Sequence, residues 1–448
     1  MSSVSQVETA IRSVFERADE RGQSSGFVQR RRKFTGQTFA GMLVLGLLQR
    51  GEVSLSDLAH FARHLNVEVS PQGIDERMGE TCAKFLQELL NGAFTQVVSA
   101  DPVALPLLQR FAEVVVEDSS SFCLPDDLKD VWKGCGGSSE HGTQAGFKIQ
   151  VRWDLLEGGF KGLALQDGRT PDTRSALREC AHCAKRVRIH DLGYFDTLEF
   201  QHATLAEEYF LTRFKVGSTL LFTAEGEPLD LLAVLQEKAT QGSLTCQVQV
   251  SATRHLPARL LAIPVPEEVA VKRQTALRRK AQKHGRSVNE RLLALSHWTI
   301  LLTNLSEEEL SIPEALVLLR LRWQIELLFK LWKQEGQVDT SRSTKPWHIL
   351  CDIYAKLLGM LIVHWLMIVG CWQIPSRSMV KAARAIRSQI VLLAKALGGK
   401  LDWHWVLCEI TDDLDGCRMN ARKKSPNAYQ LLLSASPPTP SGGTSVLT

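Results

Sequence analysis

An α/β fold is predicted by three features of the 448-residue sequence. Short runs at Val114–Asp118, Lys148–Asp154, Val187–Asp191 and His297–Asn304 are β-branched or alternate apolar with polar, which is strand periodicity. The stretches on either side, 1–105 and 346–434, lack that period and read as helices. Between Ser311 and Gly336 the pattern changes to three-and-four spacing, the mark of an amphipathic helix set beside strands.

The elements follow in order. In 1–105 a basic run, Arg30, Arg31, Arg32 and Lys33, precedes Leu55–Val67 and then Ser70-Pro-Gln-Gly-Ile-Asp-Glu-Arg-Met78. That is a helix, a short turn and a second helix opened by Ser and Pro. It resembles a helix-turn-helix, whose second helix can enter a major groove, with Gln72, Arg77 and Lys84 as contacts. A plain helical hairpin gives the same pattern, and the basic run reads equally as a solvated loop.

Val114-Val-Val-Glu-Asp118 reads as a buried strand with an acid at its mouth, followed by Ser119-Ser-Ser121. Asp118 is either a cap on the next turn or a metal ligand at the sheet edge. Glu117, Asp126 and Asp127 are expected to be solvated. Val187–Asp191 repeats the design: an alternating strand runs into an acid, then Leu-Gly-Tyr-Phe195 turns towards a helix. His190 alternates with Asp191 and should face away from it. Thr173–Arg186 reads as a helix feeding this strand.

From Asp191 to Glu326 is 326 − 191 = 135 positions. Connections between core elements are usually a few residues long, so an inserted subdomain is expected here. Ser243–Ala252 and Arg259–Val265 alternate like strands. Val271–Arg286 carries Lys272, Arg273, Arg278, Arg279, Lys280, Lys283 and Arg286 and no acid in sixteen residues. Seven such charges repel one another unless solvent or an anionic partner screens them. Trp298 then opens a strand back to the core, either as packing or as a stacking platform.

The last element of the core is the helix opened by Ser311-Ile-Pro-Glu314, a capping box with Pro in the first turn, and stopped at Gly336. One face carries positions 319, 322, 326, 330 and 333, hence Arg322, Glu326, Lys330 and Lys333. Leu327, Leu328, Leu331 and Trp332 lie elsewhere and can pack. A carboxylate among bases suits a site that handles a cation and phosphates together. As a structural alternative, Arg322–Glu326 is an ordinary i,i+4 pair on a solvated helix.

Bulk composition narrows the class. At 44% hydrophobic the chain can bury a large core, and its formal charge of +4 does not by itself indicate nucleic acid. Ten cysteines without framework spacing, and no cleavable signal, point to a reducing, cytoplasmic protein. Cys180-Ala-His182-Cys183 lacks the second pair that a structural zinc site uses. Leu357–Cys371 is apolar but shorter than the ~20 residues of a membrane span, so a buried helix behind the sheet is expected.

The spacing Arg322-x3-Glu326-x6-Lys333 resembles the signature Tyr-x2-Arg-x3-Glu-x6-Lys of the insertion-sequence-four family of bacterial DDE transposases, with Leu319 where that family has Tyr. Asp191-x-Gly-Tyr-Phe195, the Asp118–Ser121 run, Gly134–Gly137, Lys148–Asp154 and Gly158-Gly-Phe160 are similar to the family as well. The resemblance implies a ribonuclease-H-like catalytic core (106–215 and 298–372) with a β-rich insertion (216–297). It also implies an N-terminal helical DNA-binding domain (1–105); 373–436 reads as a helical C-terminal region, and the tail rich in Pro, Ser, Gly and Thr (437–448) as disordered. It implies that Asp118, Asp191 and Glu326 form a triad holding two Mg2+ ions, with Mn2+ as substitute. Arg322, Lys330 and Lys333 would clamp phosphates, Trp298 would stack on a displaced base, and Arg278, Arg279 and Lys280 would lie on DNA. The activity implied is cut-and-paste transposition on double-stranded DNA, through a hairpin on the transposon end and in a homodimeric paired-end complex. An end-binding relative with weak or no chemistry, and a ribonuclease-H-like nuclease without strand transfer, are the alternatives.

Overall fold

A computed structural model describes residues 3–29, 34–136, 144–178, 182–237, 242–283, 285–420 and 428–435. Arg30, Arg31, Arg32, Lys33, Cys180, Arg422, Lys423, Lys424 and the 437–448 tail lie outside them.

In chain order the helices of the first hundred residues are α1 (Ser3–Ser24), α2 (Gly36–Arg50), α3 (Leu55–Ala62), α4 (Pro71–Asp75) and α5 (Glu80–Phe94). Strands β1 (Glu113–Leu124), β2 (Ala145–Asp154), β3 (Phe160–Asp167) and β4 (Arg186–His190) follow. Then come α6 (Thr197–Leu205), β5 (Tyr209–Arg213), β6 (Leu221–Phe222), α7 (Leu231–Glu237), β7 (Leu244–Val250) and β8 (Leu256–Pro264). Helices α8 (Glu267–Lys283) and α9 (Glu290–Leu295) lead into β9 (Trp298–Thr303). The chain ends in α10 (Ile312–Leu321), α11 (Trp323–Gln334), α12 (Pro346–Cys371), α13 (Met379–Ser388), α14 (Ile390–Leu397), α15 (Trp403–Asp412) and α16 (Ala428–Ala435). The mixed α/β class expected from the sequence is the class observed.

These elements form two compact units. The first gathers residues 1–104, 118–180 and 323–425. Its helical core is built on α2 and α12, which pack on each other and on α5 and α1. Capping boxes start α2 at Thr35 and α3 at Ser54, each side chain taking a backbone N–H that the first turn leaves unpaired. Helix α2 is apolar all round and correspondingly buried. Helix α12 is long and apolar enough to cross a membrane, but 89% of its apolar window is buried inside the protein. It covers β2: Trp132 Nε1 donates to Tyr354 Oη at 2.6 Å, and the Phe147 and Tyr354 rings lie 6.0 Å apart. Within this unit the strands run in the order β3, β2 and the second half of β1. The β2–β3 hairpin is antiparallel, with a bulge at Arg152/Trp153. Its turn needs glycine: Gly158 has φ +78°, and a β-carbon there would sit 2.5 Å from the Trp372 ring.

The second unit gathers residues 105–117, 181–322 and 426–448. Its strands run β1, β4, β5, β9, β8, β7, β6. The first half of β1 is parallel to β4, and β4 to β5; every pairing from β5 onward is antiparallel. The inserted strands were expected to fold as a separate β-rich subdomain. Strands β8, β7 and β6 of this segment add to the free edge of β9 and continue its sheet. Phe200, Phe210, Leu235, Val248, Leu260 and Leu302 centre the core beneath them, with Phe200 and Phe210 stacked at 4.5 Å.

Three local expectations are corrected. Thr173–Arg186 holds a single helical turn, Asp172–Arg174, and no α-helix among its described residues. The second helix of the hairpin stops at Asp75 rather than Met78, because Glu76 to Gly79 turn back into the start of α5. Glu117 is buried, not solvated, because it alternates with the half-exposed Asp118 on a strand covered on both faces up to that point.

One buried titratable group makes this fold sensitive to acid. His364 of α12 is buried, and its Nε2 donates to the Gly158 carbonyl at 2.9 Å. Burial lowers its pKa from 6.5 to about 4. The unfolded chain therefore binds a proton that the folded one refuses between those values, so stability falls as pH drops from 6.5 towards 4. The full effect is about 3 kcal/mol. Urea unfolding at pH 7 and pH 5 should show about 2 kcal/mol of this loss, and His364→Gln should remove most of the difference between the two.

Candidate active site

Each of the two aspartates singled out by the sequence sits where a buried strand gives way to a more open stretch. The three valines Val114–Val116 are buried on both faces of β1, as a central parallel strand requires. Beyond Asp118 the strand alternates exposed with buried residues. Asp118 is therefore inside β1 rather than at its end, as β1 runs on beside β2 to Leu124. The β1–β4 ladder stops at the pair Glu117↔His190. Asp118 is the next residue after Glu117, and Asp191 the next after His190. Strand β4 is buried throughout, whereas the Asp191 side chain is 43% exposed.

Beneath Asp191 the second unit carries a buried ionic network. Arg186 and Arg188 point to one side of β4. Arg188 lies 2.9 Å from Glu199 Oε1 and 3.0 Å from Glu208 Oε1. Arg186 Nη1 lies 3.4 Å from the same Glu208 oxygen, and its Nε pairs with Glu113. His182 Nδ1 contacts the other oxygen of Glu208. The network ties β4 to α6, to the turn before β5 and to the start of β1. His190 is buried against Tyr194 and Phe200, away from Asp191 as expected. Asp196 caps α6 by accepting from the Leu198 amide at 2.9 Å, closing the turn after Asp191. Arg322 Nε approaches Asp191 Oδ1 to 4.0 Å.

The single helix expected from Ser311 to Gly336 is two. The capping box is present, with Glu314 Oε2 accepting from Ser311 N and Oγ at 2.9 Å each. Glu314 also pairs with Arg110 at 2.6 Å. Helix α10 then ends at Leu321, and Arg322 forms a turn with its amide directed to Leu319. Leu319 and Arg322 are thus separated by a helix end from Glu326, Lys330 and Lys333, which share one face of α11. On α11 Leu328, Leu331 and Trp332 are buried as expected, but Leu327 is exposed.

The far end of α11 is fixed by neighbouring helices of its own unit. Gly336 is pressed so close that a β-carbon would sit 2.4 Å from Met360 of α12. Glu335 accepts from Arg384 Nη2 at 2.6 Å. The buried Lys356 of α12 donates to the Gln337 and Thr340 carbonyls at 3.1 and 2.8 Å. On the open face Lys330 lies 4.7 Å over the Trp323 ring. Lys333 lies 5.5 Å over Phe122 of β1 and donates to the Ser121 carbonyl at 3.4 Å.

The outlying candidates are dispersed. Gln72 donates to Glu76 at 2.9 Å and Arg77 to the Gly73 carbonyl at 2.7 Å, both on the surface of the first unit. Trp298 is half-buried and packs against the core of the second unit. Arg278, Arg279 and Lys280 are exposed along α8, and among the described residues no ion pair engages them. Glu267 and Glu268 in the first turn complement the helix dipole. Among the described residues no three His, Cys, Asp or Glu side chains form a ready metal-binding cluster, the Cys183–His182 segment included.

Sequence reasoning missed Arg188, Glu199 and Glu208, although Arg186-x-Arg188 inside a buried strand calls for buried carboxylates. It also missed Asp172, which accepts from three side chains near Asp118. Nothing in its local sequence marks it.

Residues 109–362 match the family model of the transposase DDE domain. The transposase for insertion sequence element IS231F of Bacillus thuringiensis subsp. israelensis is 24% identical over 367 residues, covering 77% of this chain and 76% of that protein. The transposase for IS1151 of Clostridium perfringens is 22% identical, covering 76% and 75%. The putative transposase InsL for IS186A of Escherichia coli is 28% identical over 237 residues, covering 51% and 63%.

The buried network yields a stability test. Arg188→Met should cost about 3–5 kcal/mol, because Glu199 and Glu208 lose their partner without regaining water. Urea unfolding measures it, and a loss below about 1 kcal/mol, the value of a surface pair, would mean that the network is effectively solvated.

Proposed function

This chain belongs to the transposase DDE-domain family, and on that premise we propose that it moves an insertion sequence by a cut-and-paste route with Asp118, Asp191 and Glu326 as its acid triad. As a DDE transposase it is an enzyme of DNA cleavage and strand transfer, and its family uses divalent metal ions. The observation that supports the two aspartates is the register Glu117↔His190 within the second unit: Asp118 and Asp191 are the residues that follow that last pair along the chain.

The donor chemistry fits the metal. All three groups are carboxylates, the hard oxygen ligands that Mg2+ takes, with Mn2+ able to substitute. Two such ions would supply activation of the attacking water or 3′ hydroxyl and charge stabilisation at the leaving oxygen. The side chains do the rest. Lys330 and Lys333, on the face of α11 that carries Glu326, bind phosphate oxygens beside the scissile bond. Arg322 neutralises Asp191 before the cations arrive and then turns to phosphate. Trp298, only half-buried, stacks on a base displaced as the donor end closes into a hairpin. The released 3′ hydroxyls attack target DNA.

Two ends must reach one target, so the working form is a homodimer on paired ends. Arg278, Arg279 and Lys280 of each exposed α8 lie along duplex DNA. Gln72 and Arg77, with the basic run Arg30, Arg31 and Arg32, contribute to end binding. The work is done in the bacterial cytoplasm, on the nucleoid.

One observation favours a second reading, an end-binding protein with weak chemistry: Leu319 supplies no hydroxyl where related transposases have Tyr. The missing bond is worth about 1 kcal/mol, enough to weaken phosphate binding but not to abolish cleavage.

Glu326→Ala should abolish metal-dependent cleavage of end-bearing DNA while leaving end binding nearly intact, scored by gel shift and by joined donor–target product from plasmids. Cleavage by that variant with Mg2+ would overturn the triad. Leu319→Tyr should preserve or raise strand transfer; a folded variant that loses it would show that the position has repacked. Neutralising Arg278, Arg279 and Lys280 together should flatten the log–log salt dependence of binding by up to about three units and impair paired-end complexes more than single-end binding. An unchanged slope would make α8 a solvated helix.

A further inference from the structure

We propose that Asp172 is a positioning residue for Asp118, acting through Ser119. The proposal rests on Asp118 being a metal-holding acid. Asp172 opens the single helical turn Asp172–Arg174 a few residues after β3. Three donors from two strands converge on one of its oxygens. Ser119 Oγ of β1 donates to Oδ1 at 2.9 Å, Gln150 Nε2 of β2 at 3.1 Å and Lys148 Nζ of β2 at 3.2 Å. Lys148 also donates to the Thr170 carbonyl at 3.0 Å, so one ammonium fastens the Thr170–Asp172 segment to β2 at two points.

The second link leads back to the site. The backbone N–H of Ser119 donates to Asp118 Oδ1 at 2.8 Å. Asp172 thus holds the Ser119 side chain, and the Ser119 amide holds the Asp118 carboxylate. On a strand the two side chains point to opposite faces. Anchoring Ser119 on one face therefore resists twisting of β1 about its axis, the motion that would swing Asp118 on the other face. The need is local: at Asp118 β1 leaves its two-sided burial, so packing no longer fixes its side-chain direction there. Carboxylates that hold metals are commonly oriented by outer hydrogen bonds, and losing one such partner costs about 10–100-fold in metal affinity.

A purely structural Lys148–Asp172 ion pair makes a different prediction. Its side chains are 14% and 24% exposed, and its loss would lower stability without changing affinity for a cation. The probe is Mn2+ alone, titrated into the full chain by electron paramagnetic resonance with and without duplex DNA, alongside thermal melting. Asp172→Ala and Ser119→Ala should each weaken Mn2+ binding by about 10–100-fold, and Ser119→Thr, which keeps the hydroxyl, should restore it. Asp118→Asn should lose the ion altogether. Ser119→Ala removes a single hydroxyl and decides the matter if Asp172→Ala does not fold. Unaltered Mn2+ affinity in folded Ser119→Ala, with binding lost in Asp118→Asn, overturns the positioning role and leaves the triad standing. Unaltered affinity in Asp118→Asn overturns the metal assignment and this proposal with it.

Discussion

The register of β1 against β4 is the constraint on which the catalytic reading depends. It is set by hydrophobic burial. Val114, Val115 and Val116 are covered on both faces, as are Val187 and Ile189 opposite. A slip by one residue would reverse every side chain on the strand and drive Glu117 and Asp118 into each other's environments. Because the valines hold the ladder, Asp118 and Asp191 are the residues that follow its last pair, Glu117↔His190.

Charge handled below the surface supports that arrangement. Arg186 and Arg188 on β4 could not be buried without Glu113, Glu199 and Glu208, which come from the start of β1, from α6 and from the turn before β5. The pairs specify which elements lie against β4 more than they add stability, because ion pairs taken out of water roughly break even against apolar packing. The same economy appears at α11. Lys356 is buried where an apolar residue would pack more cheaply, yet its three donors are what the carbonyls after α11 require. Together with the close approach at Gly336, it fixes the end of the helix that presents Glu326, Lys330 and Lys333.

The basic surface follows a different logic. Helix α8 buries little besides Ala270 and is tied down near its start, where Arg273 donates to the Trp298 carbonyl at 2.9 Å. Its remaining length carries the exposed Arg278, Arg279 and Lys280, which no ion pair engages among the described residues, a cost in self-repulsion that phosphates can relieve. In the opening residues Gln72, Arg77 and Lys84 each bond to a residue four positions away.

The sequence by itself determined the α/β class, strands β1, β2, β4, β7, β8 and β9, the capping box at Ser311 and the buried α12, and it carried the resemblance to the transposase family. These rest on local period, local capping chemistry and motif spacing, which one chain displays directly. Only the tertiary structure decided that Asp118 lies within a strand rather than at its end, that the inserted strands extend the sheet of β9, and that α10 and α11 are separate helices. It alone revealed Asp172 beside Ser119, 53 positions away, and the partners of Arg188. The physical reason is that helix and strand propensity are written in neighbours. Strand edges, helix breaks within the αR region and the carboxylates that meet buried bases are chosen by residues far along the chain, when burial leaves each charge one place to go.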